Sequence, residues 1–247
     1  MAINNKRLLG KEMENKFDII FEDNHIIVVL KPFNIPSQAD ESGDIDMLTM
    51  VKDYLKEKYQ KAGNAYAGLL HRLDRPTGGI MVFAKTSKAA SRLSETIREG
   101  EFEKKYFAVV MGQPKEKQGR LVHYLLKDEK NNNVGIVPIS TEGAKRAELD
   151  YKVLKTVDGL SLVNIDLLTG RSHQARVQMA SMFTPILGDI RYGGQRAAAD
   201  NLALFSYSLR FEHPVTHNTM AFKAYPPVTM PPWKEFEAVI DMIIKNY

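Results

Sequence analysis

Residues 149–167 carry the pattern that most restricts the fold. Leu149, Tyr151 and Val153 alternate with polar neighbours, Asp158-Gly159 follows, and Val163, Ile165 and Leu167 alternate again. A period of two puts apolar side chains on one face of a strand, and an Asp-Gly pair accepts the positive φ angles of a tight hairpin turn. An antiparallel hairpin with one buried face is therefore predicted. Phe17–Phe21 and His25–Leu30 read as two more strands joined by the turn-forming Glu22-Asp23-Asn24, and Pro32 ends the second because it cannot donate to a ladder. Ile80–Ala84 and Tyr106–Met111 read as strands as well. Helices are expected from an Asp46 cap to about Lys61, from Ser87 to a stop at Gly100, over Arg176–Phe183, and after Pro231-Pro232. Hairpin strands with interspersed helices imply an α+β fold on a mixed, mainly antiparallel sheet with flanking helices. Residues 1–16 are polar and expected to form a loosely held arm, with 17–247 as one domain because no long linker divides them.

Composition narrows the class. Hydrophobic residues are 44% and charged residues 26% of the 247, as in soluble globular proteins. The chain has no cysteine, which excludes disulfides, thiolate nucleophiles, iron–sulfur clusters and cysteine-based zinc sites. The longest aliphatic run, Ile26–Leu30, is far too short to span a membrane, and the N-terminal residues show no signal-peptide core. A cytoplasmic location without membrane association is expected. The net charge of +4 permits a polyanionic partner, but neither half of the chain is a basic arm, so any nucleic-acid surface must be built by folding.

Three segments concentrate polar chemistry. In His71-Arg72-Leu73-Asp74-Arg75-Pro76-Thr77-Gly78-Gly79, Asp74 lies between two arginines, which favours its ionised form and suits a nucleophile or proton acceptor. The ordinary reading is a turn in which Asp74 caps amides and the arginines face solvent. Leu168–Arg176 carries Arg171, His173, Gln174 and Arg176, donors that fit phosphate oxygens and base edges. Its ordinary reading is a strand-to-helix turn with Thr169 or Ser172 as N-cap. Glu103-Lys104-Lys105-Tyr106 opens a strand whose tyrosine is either a sheet residue or a ring that stacks on a base and relays a proton. His213 and His217 have metal-like spacing, but Pro214 intervenes and no third ligand is evident, so no metal is expected. The acidic run Asp40–Asp46 reads as a solvated loop without evident partner cations.

Together these segments resemble the RluA-type family of RNA pseudouridine synthases. The resemblance rests on DNHIIVVLKPFNIP at 23–36, HRLDRPTGG at 71–79, KKYFAVVMG at 104–112 and AKRAELDYKVL at 144–154. It continues through LTGRSHQARVQMA at 168–180, PILGDIRYGG at 185–194 and LALFSYSLRFEHP at 202–214, in the family's order. It implies a pseudouridine synthase catalytic fold with a central basic cleft. It also implies roles: Asp74 as catalytic aspartate, Arg176 as the arginine that pairs with it, and Tyr106 as the ring that stacks on the base and assists proton removal at carbon 5. Arg72 matches the arginine that fills the gap left by an extruded nucleotide. Lys31, Lys105 and Arg171 are expected to contact phosphate, with His173 and Gln174 also binding RNA.

The implied reaction converts uridine in ribosomal RNA, or in transfer RNA, to pseudouridine without cofactor or metal, and a monomer is expected. The chain departs from the family pattern at Asn34, Gly78, Ala175 and Gln178, which bears on substrate choice. The residues before the first strand are too few for the small N-terminal RNA-binding domain that many relatives carry, so target recognition is expected to rest on the catalytic domain. The alternative is a non-catalytic RNA-binding or ribosome-assembly factor on the same fold, which would not need Asp74. A glycoside or nucleoside hydrolase would need two cooperating carboxylates.

Overall fold

Ile26–Leu30 and Ile80–Ala84 have no polar face, so neither can be half solvated, and each must find cover on both sides. They become inner strands. The structure, a computed structural model, describes residues 17–194 and 201–245, so the expected arm at 1–16 lies outside the described residues. The chain runs through β1 (Asp18–Glu22), β2 (Ile26–Lys31), α1 (Met47–Lys58), β3 (Gly68–Leu69), β4 (Gly78–Ala84) and α2 (Ser87–Glu99). It continues with β5 (Glu103–Met111), β6 (Gln118–Asp128), β7 (Asn133–Ile136), β8 (Lys145–Val157), β9 (Leu160–Leu167) and α3 (Gln174–Ser181). The last elements are β10 (Leu204–Glu212), β11 (Thr219–Lys223) and α4 (Glu237–Lys245). The class is the expected α+β with a largely antiparallel sheet. Two compact units are distinguished: residues up to Phe102 with Tyr207–Tyr225, and Glu103–Ser206 with the residues from Pro226.

In the first unit the strand order is β1-β2-β4-β10, with β3 beside β4 and β11 beside β10. Strand β2 pairs antiparallel with β1 and with β4. Every residue of β4 is buried, as is every residue of β2 except Leu30. Helix α1 buries Met47, Met50, Val51 and Leu55 at helical spacing, each worth on the order of 2 kcal/mol removed from water. Its cap is the expected Asp46, which accepts from Thr49 N at 3.1 Å and from Thr49 Oγ1 at 2.7 Å. Helix α2 starts at Ser87 as expected, capped by Thr86, and stops at Gly100. An aromatic run from Phe102 to Phe211 (5.2 Å) and Phe222 (6.1 Å), then to Phe21 (5.6 Å), fastens β1, β10 and β11 together.

One carboxylate organises the outer end of this unit. Glu22 accepts from Lys85 Nζ (2.6 Å), Lys58 Nζ (2.7 Å), Tyr59 Oη (2.7 Å) and Tyr54 Oη (2.9 Å), joining β1 to α1 and to the residue after β4. Burial pushes its pKa up, but the four donors, Lys58 first, more than reverse this and bring it to about 2.

In the second unit the order is β5-β9-β8-β6-β7, each neighbour antiparallel. The predicted hairpin is β8–β9. Leu149 faces Leu167, Tyr151 faces Ile165 and Val153 faces Val163 across it, so the two alternating triplets pair member for member. Asp158 (φ 48°) and Gly159 (φ 76°) are both left-handed, the twist that matches two antiparallel strands. Strands β6 and β7 were not expected. In β6 only Leu125 is fully buried, so its sequence carries no alternation to read. Helix α3 begins two residues earlier than predicted and buries six consecutive residues, Gln174–Met179. The C-terminal helix α4 buries Ile240 and Ile244. Among the described residues no helix is long and apolar enough to cross a membrane.

The depressed Glu22 pKa sets an acid limit on stability. Its folded value lies below the unfolded one of 4.5, so the contribution is complete above about pH 4.5 and is lost as pH falls toward 2. Denaturant melts should show wild type losing on the order of 2 kcal/mol more than Glu22→Gln over that window. Parallel pH profiles would show that Glu22 is not held ionised.

Candidate active site

The HRLDRPTGG segment enters β4 as an irregular loop, and side chains from elsewhere in its unit hold its backbone. The hydroxyl of buried Ser37 donates to Leu73 O at 2.7 Å and accepts from Leu73 N at 3.0 Å. Lys31 Nζ donates to Arg75 O at 3.0 Å, and also to Pro32 O (2.9 Å) and Ile35 O (2.6 Å). His71 Nε2 accepts from Val82 N at 3.2 Å while its ring packs on Phe102. Asp74 is thus flanked by two anchored peptides. Its own carbonyl accepts from Thr77 N at 2.9 Å, and its side chain is half-buried.

Two expectations about this region are corrected. Lys31 does not contact phosphate: it is 1% exposed, and its three N–H donors are taken by carbonyls of its own chain. Burial pushes its ammonium pKa down to about 7, the neighbouring Asp74 opposing and Arg75 adding to the shift. The acidic run at 40–46 does have a partner cation, since Arg75 pairs with Asp44 and Asp40 and donates to Ser42 Oγ at 2.9 Å. Arg72 is exposed, as an RNA-facing role requires.

Two departures from the family pattern also have physical reasons. Asn34 sits at φ 64°, a left-handed position that asparagine tolerates better than most residues and where the family motif has glycine. A Cβ on Gly78 would lie 2.9 Å from the Phe33 ring, so the missing side chain makes room for that ring.

In the second unit the Leu168–Arg176 segment is stitched to β8. Gln174 is the knot: its Oε1 accepts from Thr169 Oγ1 (2.7 Å) and Arg171 N (3.0 Å), and its Nε2 donates to Glu148 O (3.0 Å). Buried, with both ends of its carboxamide bonded to its own chain, Gln174 is not an RNA contact, which corrects the expectation. The N-cap of α3 is His173 in a left-handed conformation, without a side-chain cap bond, rather than Thr169 or Ser172. His173 Nδ1 lies 2.7 Å from Tyr192 Oη. Arg171 is exposed and donates from Nε to Arg146 O at 2.9 Å.

Arg176 is buried. Its Nε and Nη2 donate to Asp189 Oδ2 (2.7 Å) and Oδ1 (2.8 Å), and the Tyr192 ring covers its guanidinium at 5.1 Å. Tyr106 is buried in β5 opposite Ile165. Lys105 is half-buried and 3.7 Å from Asp166, whose pKa burial raises. Within this unit the fold therefore gathers Arg171, His173 and Arg176 on one turn and helix start. Sequence reasoning missed Asp189 and Tyr192, although PILGDIRYGG was visible as a motif without a role. Among the described residues no group of three His, Asp or Glu is placed to hold a metal ion.

The chain is similar in sequence and fold to known proteins. The family model described as RNA pseudouridylate synthase matches residues 25–181. The chain is 35% identical over 212 residues to the dual-specificity RNA pseudouridine synthase RluA of Escherichia coli K12, covering 83% of this chain and 91% of that protein. It is 31% identical over 226 residues to the ribosomal large subunit pseudouridine synthase C of Vibrio parahaemolyticus, covering 87% and 68%. In fold it is similar to human RNA pseudouridylate synthase domain containing 4, with a TM-score of 0.70, 21% identity and 92% of each chain covered. The chain belongs to the RNA pseudouridylate synthase family and is an isomerase acting on uridine in RNA.

The Lys31 site makes a pH prediction of opposite sense to Glu22. The folded pKa of about 7 lies below the unfolded 10.5, so between these values the unfolded chain binds the extra proton and rising pH favours folding. Thermal melts should show wild type gaining on the order of 2 kcal/mol relative to Lys31→Met from pH 7 to 10.5. A constant difference would mean that Lys31 stays charged throughout.

Proposed function

We propose that this chain isomerises particular uridines in structured RNA, ribosomal RNA foremost and transfer RNA as the second class, with Asp74 supplying the reacting carboxylate. The observation that carries the reading is the run of seven family motifs in order, with Asp74, Tyr106 and Arg176 all retained. Of the relatives' names, one says dual-specificity and one names the large ribosomal subunit, which supports placing ribosomal RNA first.

The reaction breaks the bond from C1′ to N1 and makes one from C1′ to C5. The C5 proton is lost and N1 gains one, so atoms and electrons balance without cofactor or metal. The base must first leave its stack, at a cost on the order of a few kcal/mol in paired RNA. Arg72, exposed at the head of its loop, fills the vacancy, and exposed Arg171 holds phosphate. Two routes are open to the Asp74 carboxylate: attack at C1′ to form an ester, or removal of the C2′ proton to form a glycal. By the family resemblance, Arg176 is the arginine that serves the reacting carboxylate. Tyr106 stacks on the freed uracil and assists loss of the C5 proton. The reading takes the enzyme as a cytoplasmic monomer.

RNA tritiated at uridine carbon 5 tests it directly. Wild type should release tritium. Asp74→Asn should fall to background with RNA binding within about twofold, and Tyr106→Phe should slow release ~100-fold. Release that persists in Asp74→Asn, or binding without release by wild type, overturns the reading in favour of another chemistry or of a binding factor.

A further inference from the structure

The PILGDIRYGG motif has no part in the steps above, yet two of its side chains enclose the guanidinium of Arg176. We infer that Asp189 and Tyr192 are positioning residues that hold Arg176 in its working orientation before RNA arrives. The inference rests on the role proposed for Arg176.

The geometry is a clamp on two sides. Asp189, whose side chain is 0% exposed, takes Nε and Nη2 in a fork, which fixes the guanidinium plane and leaves Nη1 outside this pair. Tyr192 covers the flat face, and its hydroxyl is fixed in turn, accepting from Val134 N at 3.0 Å and meeting His173 Nδ1 at 2.7 Å. The arginine side chain has many rotamers to lose, and holding it in advance shifts that cost from catalysis to folding.

The loop that presents the clamp has its shape imposed. Asp189 N donates to Ile186 O (3.0 Å), and Asp189 O accepts from Tyr192 N (3.1 Å) and Gly194 N (2.8 Å), so both clamp residues sit on one closed turn. Gly188 is at φ +84°, and a Cβ on Gly194 would overlap the carbonyl oxygen of Ile186. A pair needed only for packing would be met more cheaply by apolar residues of the same volume, since burying two charges is rarely a net gain.

Single-turnover release from C5-tritiated RNA, with enzyme in excess, separates the maximal rate from the enzyme concentration at half-maximal rate. Asp189→Asn should lower the maximal rate ~10–100-fold, and Tyr192→Leu about tenfold, each leaving the half-maximal concentration within about twofold. The double variant Arg176→Ala/Asp189→Asn should fall no further than Arg176→Ala, because both act through one guanidinium. If Asp189→Asn alone fails to fold, as a lone buried cation would explain, the charge-neutral double variant and Tyr192→Leu still decide. Wild-type rates in folded Asp189→Asn or Tyr192→Leu, or a double variant slower than Arg176→Ala, overturn the clamp. A wild-type rate in Arg176→Ala removes the role of Arg176 and the clamp with it, whereas an inactive Arg176→Ala beside unaffected clamp variants sinks the clamp alone.

Discussion

A guanidinium cannot be left dry without a counter-charge. Removing one partner of a buried ion pair typically costs about 3–5 kcal/mol, because the other charge remains uncompensated. Arg176 is buried in α3, so much of its unit answers to it: Asp189 must stand edge-on, Tyr192 must cover the face, and the loop at 186–194 must close on itself to present both. Strand β7 is drawn in because Val134 N reaches the Tyr192 hydroxyl. The short β7, exposed along most of its length, thus has a reason to be where it is.

The Asp74 loop meets the same need for rigidity by other means. Here the fixed groups are peptides, held on one side by the Ser37 hydroxyl and on the other by the Lys31 ammonium. Both anchors act on neighbours of Asp74, through Leu73 and the Arg75 carbonyl. Arg75 itself is turned toward Asp40 and Asp44. Of the two arginines beside Asp74 in the sequence, only Arg72 is left exposed without an acidic partner among those described for it. Two arginines close to Asp74 in sequence thus end in different surroundings.

How far the fold could be read depended on how local its cause was. Leu149, Tyr151 and Val153 found Leu167, Ile165 and Val163 because a two-residue turn brings the strands together and a register shift between Val153 and Lys155 sets the apolar triplets opposite each other. The Asp46 cap was equally legible, since a capping bond to Thr49 spans three residues. Strand β6 was not, because its partners rather than its own pattern make it a strand. In the site, the motifs marked Asp74, Tyr106 and Arg176 as a set. They also marked Lys31 and Gln174 as polar and therefore as contacts, which the fold corrects: polar side chains next to reactive ones are often spent on carbonyls and amides of the chain itself.

Composition, periodicity and motif order determined the fold class, the chemistry the chain can attempt, and the residues that could carry it. Those properties are written in residue types and short spacings, which survive without coordinates. Tertiary structure alone decided which polar groups meet solvent and which are buried. Hydrogen-bond partners such as Lys31 with Arg75, 44 residues apart, or Glu22 with Lys85, 63 apart, depend on strands crossing in space. No local pattern encodes a crossing of that kind, so the division between groups offered to RNA and groups that hold them in place appears only once the chain is folded.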